Sequence, residues 1–245
     1  MEQESRESQL RTLASVIDSI SLPHPVRVGI DGMSASGKTR LADELAETLR
    51  TMKRSVFRAG LDGFHNPPEI RHRRGPLSVE GYIEDSFDYR SVREQVLMPL
   101  GPEGNGHFRQ KNFDYRTEHR EKTSPTQVRP DSILLFEGVM LFNEALVNCF
   151  DYRILVECSE EEIMKRARIR DLEHFQSMNL LEEKYSQRFL PGQRMYLAKN
   201  QPDQRADAIL GNDDWNAPDL RFLSGRSGGI SFLSGEHTDQ ENEKA

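Results

Sequence analysis

Gly32-Met33-Ser34-Ala35-Ser36-Gly37-Lys38-Thr39 fits the pattern G-x-x-x-x-G-K-[ST] at every fixed position. The spacing has a chemical reason: two glycines let the backbone curl until successive N–H groups face a polyphosphate. Lys38 can then reach the β- and γ-phosphates, and the Thr39 hydroxyl is placed to ligate Mg²⁺. A helix starting here also turns its positive end toward the anion. Both flanks agree. Val26 to Ile30 reads as a buried strand closing at Asp31-Gly32. Beyond Lys38, Leu41, Leu45 and Leu49 recur at i, i+4 and i+8 with Ala42 and Ala46 beside them, one apolar helix face for packing on a sheet. The loop from Gly32 to Thr39 is therefore read as a nucleotide-phosphate cradle.

Outward from the loop, Leu10, Leu13, Ile17 and Ile20 predict a short amphipathic helix before Pro23. Ser55 to Leu61 reads as a second strand, ending at Asp62-Gly63. Residues 63–87 read as a long Pro-, Gly- and Arg-rich loop, a length that tends to be functional. Asp88 is placed to cap a helix carrying Val92, Val96 and Leu100. Short strands are expected around His107-Phe108 and Asn112 to Arg116, and longer ones at Ile133–Phe136, Arg153–Val156 and Ala206–Leu210. Glu160–Asp171 reads as a helix, and a second pattern (Leu181, Tyr185, Phe189) is expected to break at Pro191-Gly192. Strands alternating with helices predict an α/β P-loop NTPase fold, a central parallel sheet flanked by helices.

The chain has 245 residues, with 33 Lys plus Arg against 40 Asp plus Glu and a net charge of -7. That balance excludes a general nucleic-acid binder, whose affinity comes from neutralising phosphates, but leaves room for a local basic pocket. Cys149 and Cys158 are too few for a disulfide framework and lack metal-site spacing, which fits a reducing cytosol. The acidic start Met1-Glu2-Gln3-Glu4 is unlike a secretory signal. The most apolar stretch, Ile133 to Phe142, is interrupted by Glu137 and too short to span a bilayer. A cytoplasmic protein without membrane contact is expected. From about Ser224 the chain is Gly, Ser and charge, and Phe222-Leu223-Ser224-Gly225 echoes at Phe232-Leu233-Ser234-Gly235. A flexible tail is the expectation there.

The motifs narrow the kind of P-loop protein. Neither the Asn-Lys-x-Asp that reads guanine nor a following Asp-x-x-Gly is present. Ile133-Leu134-Leu135-Phe136 closes on Glu137-Gly138, a single carboxylate rather than an Asp-Glu pair. A charge closing an apolar run beside the loop can hold Mg²⁺ through water; otherwise it is an ordinary strand-end residue. Asp62 closes the strand after the P-loop helix, at the sheet edge where ligands bind in such folds. An acceptor there can take the proton of a substrate hydroxyl as the γ-phosphoryl moves; otherwise it is a turn Asp before Gly63.

Gly29-Ile30-Asp31-Gly32, Leu61-Asp62-Gly63-Phe64-His65 and Asp85-Ser86-Phe87-Asp88, with Phe113-Asp114-Tyr115, Phe136-Glu137-Gly138 and Arg166 to Asp171, resemble the uridine kinase/phosphoribulokinase family of P-loop kinases. The resemblance covers about residues 26–212. Arg73-Arg74-Gly75 through Gly81-Tyr82 and Leu190-Pro191-Gly192-Gln193 look most like bacterial uridine kinase-like proteins. The resemblance implies ATP and Mg²⁺ as cosubstrates and Asp62 as catalytic base. It also implies a helical lid carrying Arg166 and Arg170, a substrate-binding loop region over about 63–120, and a ribose-like acceptor. Positions i and i+4 do put Arg166 and Arg170 on one helix face, with Arg168 elsewhere.

The substrate side departs from the family. The Asp that holds ribose hydroxyls there is replaced, with Tyr82 at its place and Glu84 or Asp85 nearby. The base-reading His falls on Glu118, with His119 one residue later. Arg71-His72-Arg73-Arg74 either grips an anionic substrate or is a solvated charge run. His65 is expected to line the substrate pocket by analogy with an aromatic residue of the family. Trp215 either sits near the adenine or is plain packing.

The expected protein is an ATP-dependent kinase with residues 1–22 as an N-terminal helix, 23–222 as the P-loop kinase domain and 223–245 as a tail. Its catalytic residues are Asp62, Lys38, Arg166 and Arg170, and its nucleotide cradle is Gly32, Met33, Ser34, Ala35, Ser36, Gly37, Lys38 and Thr39. The metal residues are Thr39 and Glu137, and the substrate residues are His65, Tyr82, Phe113 and His119. Its acceptor is a nucleoside such as uridine or cytidine. Pantothenate, a ribosylated vitamin, a sugar phosphate or glycerate, and a non-catalytic ATP-sensing module, stay open as alternatives. No nucleic-acid or membrane partner is expected, and a homo-oligomer is left open, with the N-terminal helix as its candidate contact.

Overall fold

The computed structural model describes residues 5–223. The tail expected from residue 223 and the second copy of the Phe-Leu-Ser-Gly echo lie outside them, apart from Leu223. Helix α1 (Arg6–Asp18) is capped by Ser5, whose hydroxyl accepts the Ser8 N–H. Its Leu10, Leu13, Ala14 and Ile17 are buried against helix α2 (Lys38–Thr51) and the sheet of the same chain. The apolar face that could have met a neighbouring subunit is thus already covered.

Six strands form the sheet: β1 (Val26–Gly32), β2 (Val56–Gly60), β3 (Ile133–Glu137), β4 (Tyr152–Glu157), β5 (Ala208–Gly211) and β6 (Asp219–Phe222). Their spatial order is β6-β5-β4-β1-β3-β2, all parallel except β6, which runs antiparallel to β5. Period-2 alternation divides the core. Ile133 and Leu135 face α1 and α2, while Leu134 and Phe136 face the layer containing Phe64, Val92, Val96 and Phe142. Strand β6 is an addition to the expected set; Asp219-Leu220-Arg221-Phe222 has only two apolar residues and earns its place by pairing on β5.

Two expectations change. Residues 63–87 are not one loop: they contain a helical turn at Pro68–Arg71 and helix α3 (Val79–Asp85), which is capped by Ser78 accepting the Gly81 N–H. Nor does the chain break at Pro191-Gly192. After helix α4 (Glu160–Arg170), helix α5 (Met178–Lys184) runs through a widened π turn, Tyr185–Phe189, into helix α6 (Leu190–Asn200). Proline in a regular helix clashes with the carbonyl four residues back. Here Pro191 sits in the first turn after the π turn, where the helix can accept it. Asp88 caps as expected, accepting the Ser91 N–H at 2.9 Å. Among the described residues no helix is long and apolar enough to cross a membrane.

Candidate active site

Parallel register assembles the phosphate side. Glu137 lies level with Ile30 on one neighbouring strand and Gly60 on the other. It therefore sits between the strand that feeds the P-loop and the strand that ends at Asp62. The chain then turns over a single 3₁₀ turn, Leu61–Phe64, which turns the exposed Asp62 into a cavity of about 1300 Å³. Ser34, Ala35, Gly37, Lys38 and Thr39 line that cavity, as do Glu137, Arg166 and Arg170. Gly32, Met33 and Ser36 are not at its wall; Met33 instead lends its carbonyl to the Lys38 ammonium at 2.7 Å.

The loop has the shape of an anion cradle. Ala35 adopts φ 60° and Gly37 φ 100°, left-handed positions that curl the backbone. A Cβ on Gly37 would lie 2.5 Å from the Asn212 side-chain nitrogen. Asn212 donates from that nitrogen to the Ser36 carbonyl at 2.6 Å, and Arg166 donates to the same carbonyl at 3.3 Å. Arg166 is braced further by Glu162 at 2.9 Å and the Asn212 carbonyl at 2.6 Å. Arg170 forms a two-pronged pair with Asp171 at 2.6 and 2.8 Å, and Tyr185 donates to the same carboxylate at 2.6 Å. Arg168 points away to Glu182.

Electrostatics follow from burial. The Thr39 hydroxyl donates to Glu137 at 2.9 Å, and Arg58 lies 3.5 Å from the other carboxylate oxygen. Desolvation still pushes the Glu137 carboxyl above its ordinary value, with Lys38 and the Thr39 hydrogen bond pulling the other way. Desolvation likewise lowers Lys38, while Glu137 and Asp31 work to keep it charged. Asp31 itself is buried outside the cavity. It accepts the Gly32 N–H at 2.7 Å, the Phe142 N–H at 3.2 Å and the Tyr196 hydroxyl, so it braces the strand end that launches the loop.

Opposite the P-loop the wall is aromatic. His65 packs at a tilt 4.6 Å from Phe87 and 4.9 Å from Tyr115, and Tyr82 packs at 5.1 Å on Phe189. All five rings line the cavity, with His174 and Phe175. The His65 Nδ1–H donates to the Asp62 carbonyl at 3.0 Å, and burial lowers its pKa, so a neutral ring presents Nε2 as an acceptor.

The structure brings His65 and Tyr82 to this wall but not Phe113 or His119. Phe113 and Asp114 pair with Arg120 and His119 in a minimal hairpin. Alternation then buries Phe113 (3% exposed) and leaves His119 on the outside, while Tyr115 takes the cavity position. The arginine cluster is spent internally. Arg73 and Arg74 both pair with Asp85, which they hold below the usual carboxylate range, and Arg71 pairs with Glu118 at 2.8 Å. Trp215 lies at the cavity with guanidinium carbons of Arg6 and Arg40 at 3.4 and 3.7 Å from its ring centre. Two cations that close need opposite faces, so neither face is open to an adenine ring. Asn212 and His174 carry no sequence signal, and Tyr115 and Gln193 only that of lying within resembling runs.

No protein-family model matches the chain. It is 26% identical over 223 residues to a uridine kinase of Brevibacillus brevis, covering 89% of this chain and 99% of that one. A possible uridine kinase from Bacillus stearothermophilus superposes with a TM-score of 0.66 at 22% identity, covering 82% of this chain and 97% of that one. A D-glycerate 3-kinase from Cryptococcus neoformans gives a TM-score of 0.55 at 13% identity over 88% and 96%. The fold is that of the P-loop kinases.

Proposed function

We propose that the chain is a member of the uridine kinase/phosphoribulokinase family of P-loop kinases and that it transfers the γ-phosphoryl group of ATP to a hydroxyl of a nucleoside such as uridine or cytidine. The observation that carries the reading is the meeting, in one cavity, of Asp62, Lys38 and the Thr39–Glu137 pair with a wall of aromatic rings. Aromatic rings lining the cavity favour a planar heteroaromatic acceptor. The tying of Arg71, Arg73 and Arg74 to carboxylates weighs against an anionic sugar phosphate. Tyr82 holds the family's sugar-binding place, and its hydroxyl is engaged by Gln193 at 3.0 Å. Recognition of the ribose hydroxyls therefore falls to other groups of the wall.

The curled loop fits a triphosphate, with backbone amides and Lys38 as its partners. Thr39, with Glu137 accepting its hydrogen, would hold Mg²⁺, which when bound neutralises phosphate charge. Asp62 accepts the proton of the acceptor hydroxyl as that oxygen bonds the γ-phosphorus and the bond to the β–γ bridging oxygen breaks. Arg166 and Arg170, held by Glu162 and Asp171, face the charge that spreads over the transferring group. The aromatic wall, with Phe175 and the π turn Tyr185–Phe189, keeps water from competing as the acceptor.

ADP release from ATP and Mg²⁺ across uridine, cytidine, pantothenate, ribose phosphates and glycerate tests the reading. Uridine or cytidine should stimulate release. Asp62→Asn should then lose about 10²–10⁴-fold in turnover, the usual worth of a general base, while still binding ATP. Stimulation by another acceptor alone would keep the kinase and remove the nucleoside. A flat panel with ATP bound would favour a sensing role instead.

A further inference from the structure

The run Pro191-Gly192-Gln193 has no part in the phosphoryl-transfer chemistry above, yet each residue serves one contact. Pro191 lies in the first turn of α6, where a missing N–H is tolerated. Gly192 has no side chain to hold the helices apart: a Cβ there would lie 2.6 Å from Tyr82 Cδ1. That approach sets the Gln193 carboxamide, 1% exposed, between the acceptor wall and the phosphate loop. Its Oε1 accepts the Ser34 N–H at 2.8 Å. Its Nε2 donates to the Ser34 hydroxyl at 3.0 Å and to the Tyr82 hydroxyl at 3.0 Å. Both donors and the acceptor of the carboxamide are thereby used, which fixes its orientation.

The two partners belong to different halves of the cavity. Ser34 precedes Ala35, where the phosphate loop turns left-handed, and Tyr82 packs on Phe189 in the aromatic wall. We propose that Gln193 is a positioning residue that holds Ser34 in the shape that receives the nucleotide and couples the phosphate loop to Tyr82. Without it the Ser34 N–H loses its acceptor, and the Tyr82 hydroxyl loses the group that ties it to α6. The coupling makes a change at Tyr82 felt in nucleotide affinity, although Tyr82 lies on the acceptor side. This rests on the nucleotide part of the reading above and not on the identity of the acceptor.

A double-mutant cycle of Tyr82→Phe and Gln193→Met, read as the dissociation constant of a non-hydrolysable ATP analogue with Mg²⁺ and no acceptor, tests the link. Tyr82→Phe removes one hydroxyl and should weaken the analogue about 3- to 10-fold, the equivalent of one neutral hydrogen bond. Gln193→Met, of matching length and good helix propensity, should weaken it at least as much. In the Gln193→Met background, Tyr82→Phe should add nothing. Multiplying losses would overturn the proposal. So would an unchanged affinity in Tyr82→Phe alone, which decides the matter even where Gln193→Met fails to fold. Melting temperatures identify that case. No analogue binding by the wild-type protein would overturn the nucleotide reading itself, so the two failures are distinct.

Discussion

Replacing Glu137 by glutamine isolates one charge at the centre of the site. The amide keeps an oxygen to accept the Thr39 hydroxyl, now at 2.9 Å, and nearly the same volume. It removes the negative charge from a group that also faces Arg58 at 3.5 Å and Lys38. A carboxylate that orients a metal ligand is worth about 10- to 100-fold in metal affinity, or about 1.4–2.7 kcal/mol. Hydrogen bonds to charged groups are worth about 1.5–3 kcal/mol, so two separate routes give the same range. Turnover titrated against Mg²⁺ at fixed ATP should show half-saturation shifted up by that factor in Glu137→Gln. The sign with pH is set by desolvation, which raises this carboxyl above the ordinary 4.5. Its charged form is lost as pH falls through that raised value, so the wild-type Mg²⁺ requirement should climb at pH values where a free glutamate is still ionised. The variant should not follow. In the nucleotide-free protein the sign reverses. A carboxyl raised on folding contributes stability only when protonated, so at neutral pH its charge weighs against the fold. A half-saturation moved less than twofold, or an acid limb shared by both proteins, would refute the metal role.

Leu13, fully buried between α1 and α2, should cost about 2–5 kcal/mol when cut to alanine, read by urea unfolding; a loss below about 1 kcal/mol would mean that α1 is not part of the core. On the acceptor side, Tyr115→Ala should raise the KM for the acceptor about 2- to 13-fold, the worth of one aromatic pair. His119→Ala, on the outer strand of the same hairpin, should leave it within twofold, and the reverse pattern in steady-state kinetics would show that the hairpin faces the other way.

What could be read from the sequence divides along the way the two halves of the cavity are built. The phosphate half stands on strand ends, and strands carry a local code: an apolar run stops at a charge, and parallel register then fixes which charges meet. That the runs Ser55–Leu61 and Ile133–Phe136 close on Asp62 and Glu137 is legible locally; that the two strands are neighbours with Glu137 level with Gly60 is supplied by the sheet. The acceptor half stands on pairings that no local pattern announces. Gln193 meets Ser34 across 159 residues, and its approach depends on a π turn that lets the helix continue through Pro191. The arginine cluster looks like an anion grip only until Asp85 is seen between Arg73 and Arg74. Phe113 is buried in a two-residue strand and Tyr115 reaches the cavity from the turn that follows it, a distinction too short to show a period. The same division sets what can vary. Strand ends must keep their register, whereas α3 and the Phe113 hairpin can exchange side chains without disturbing it. The Tyr82–Gln193 contact belongs to that second kind, a long-range hydrogen-bonded tie between the aromatic wall and the loop at Ser34.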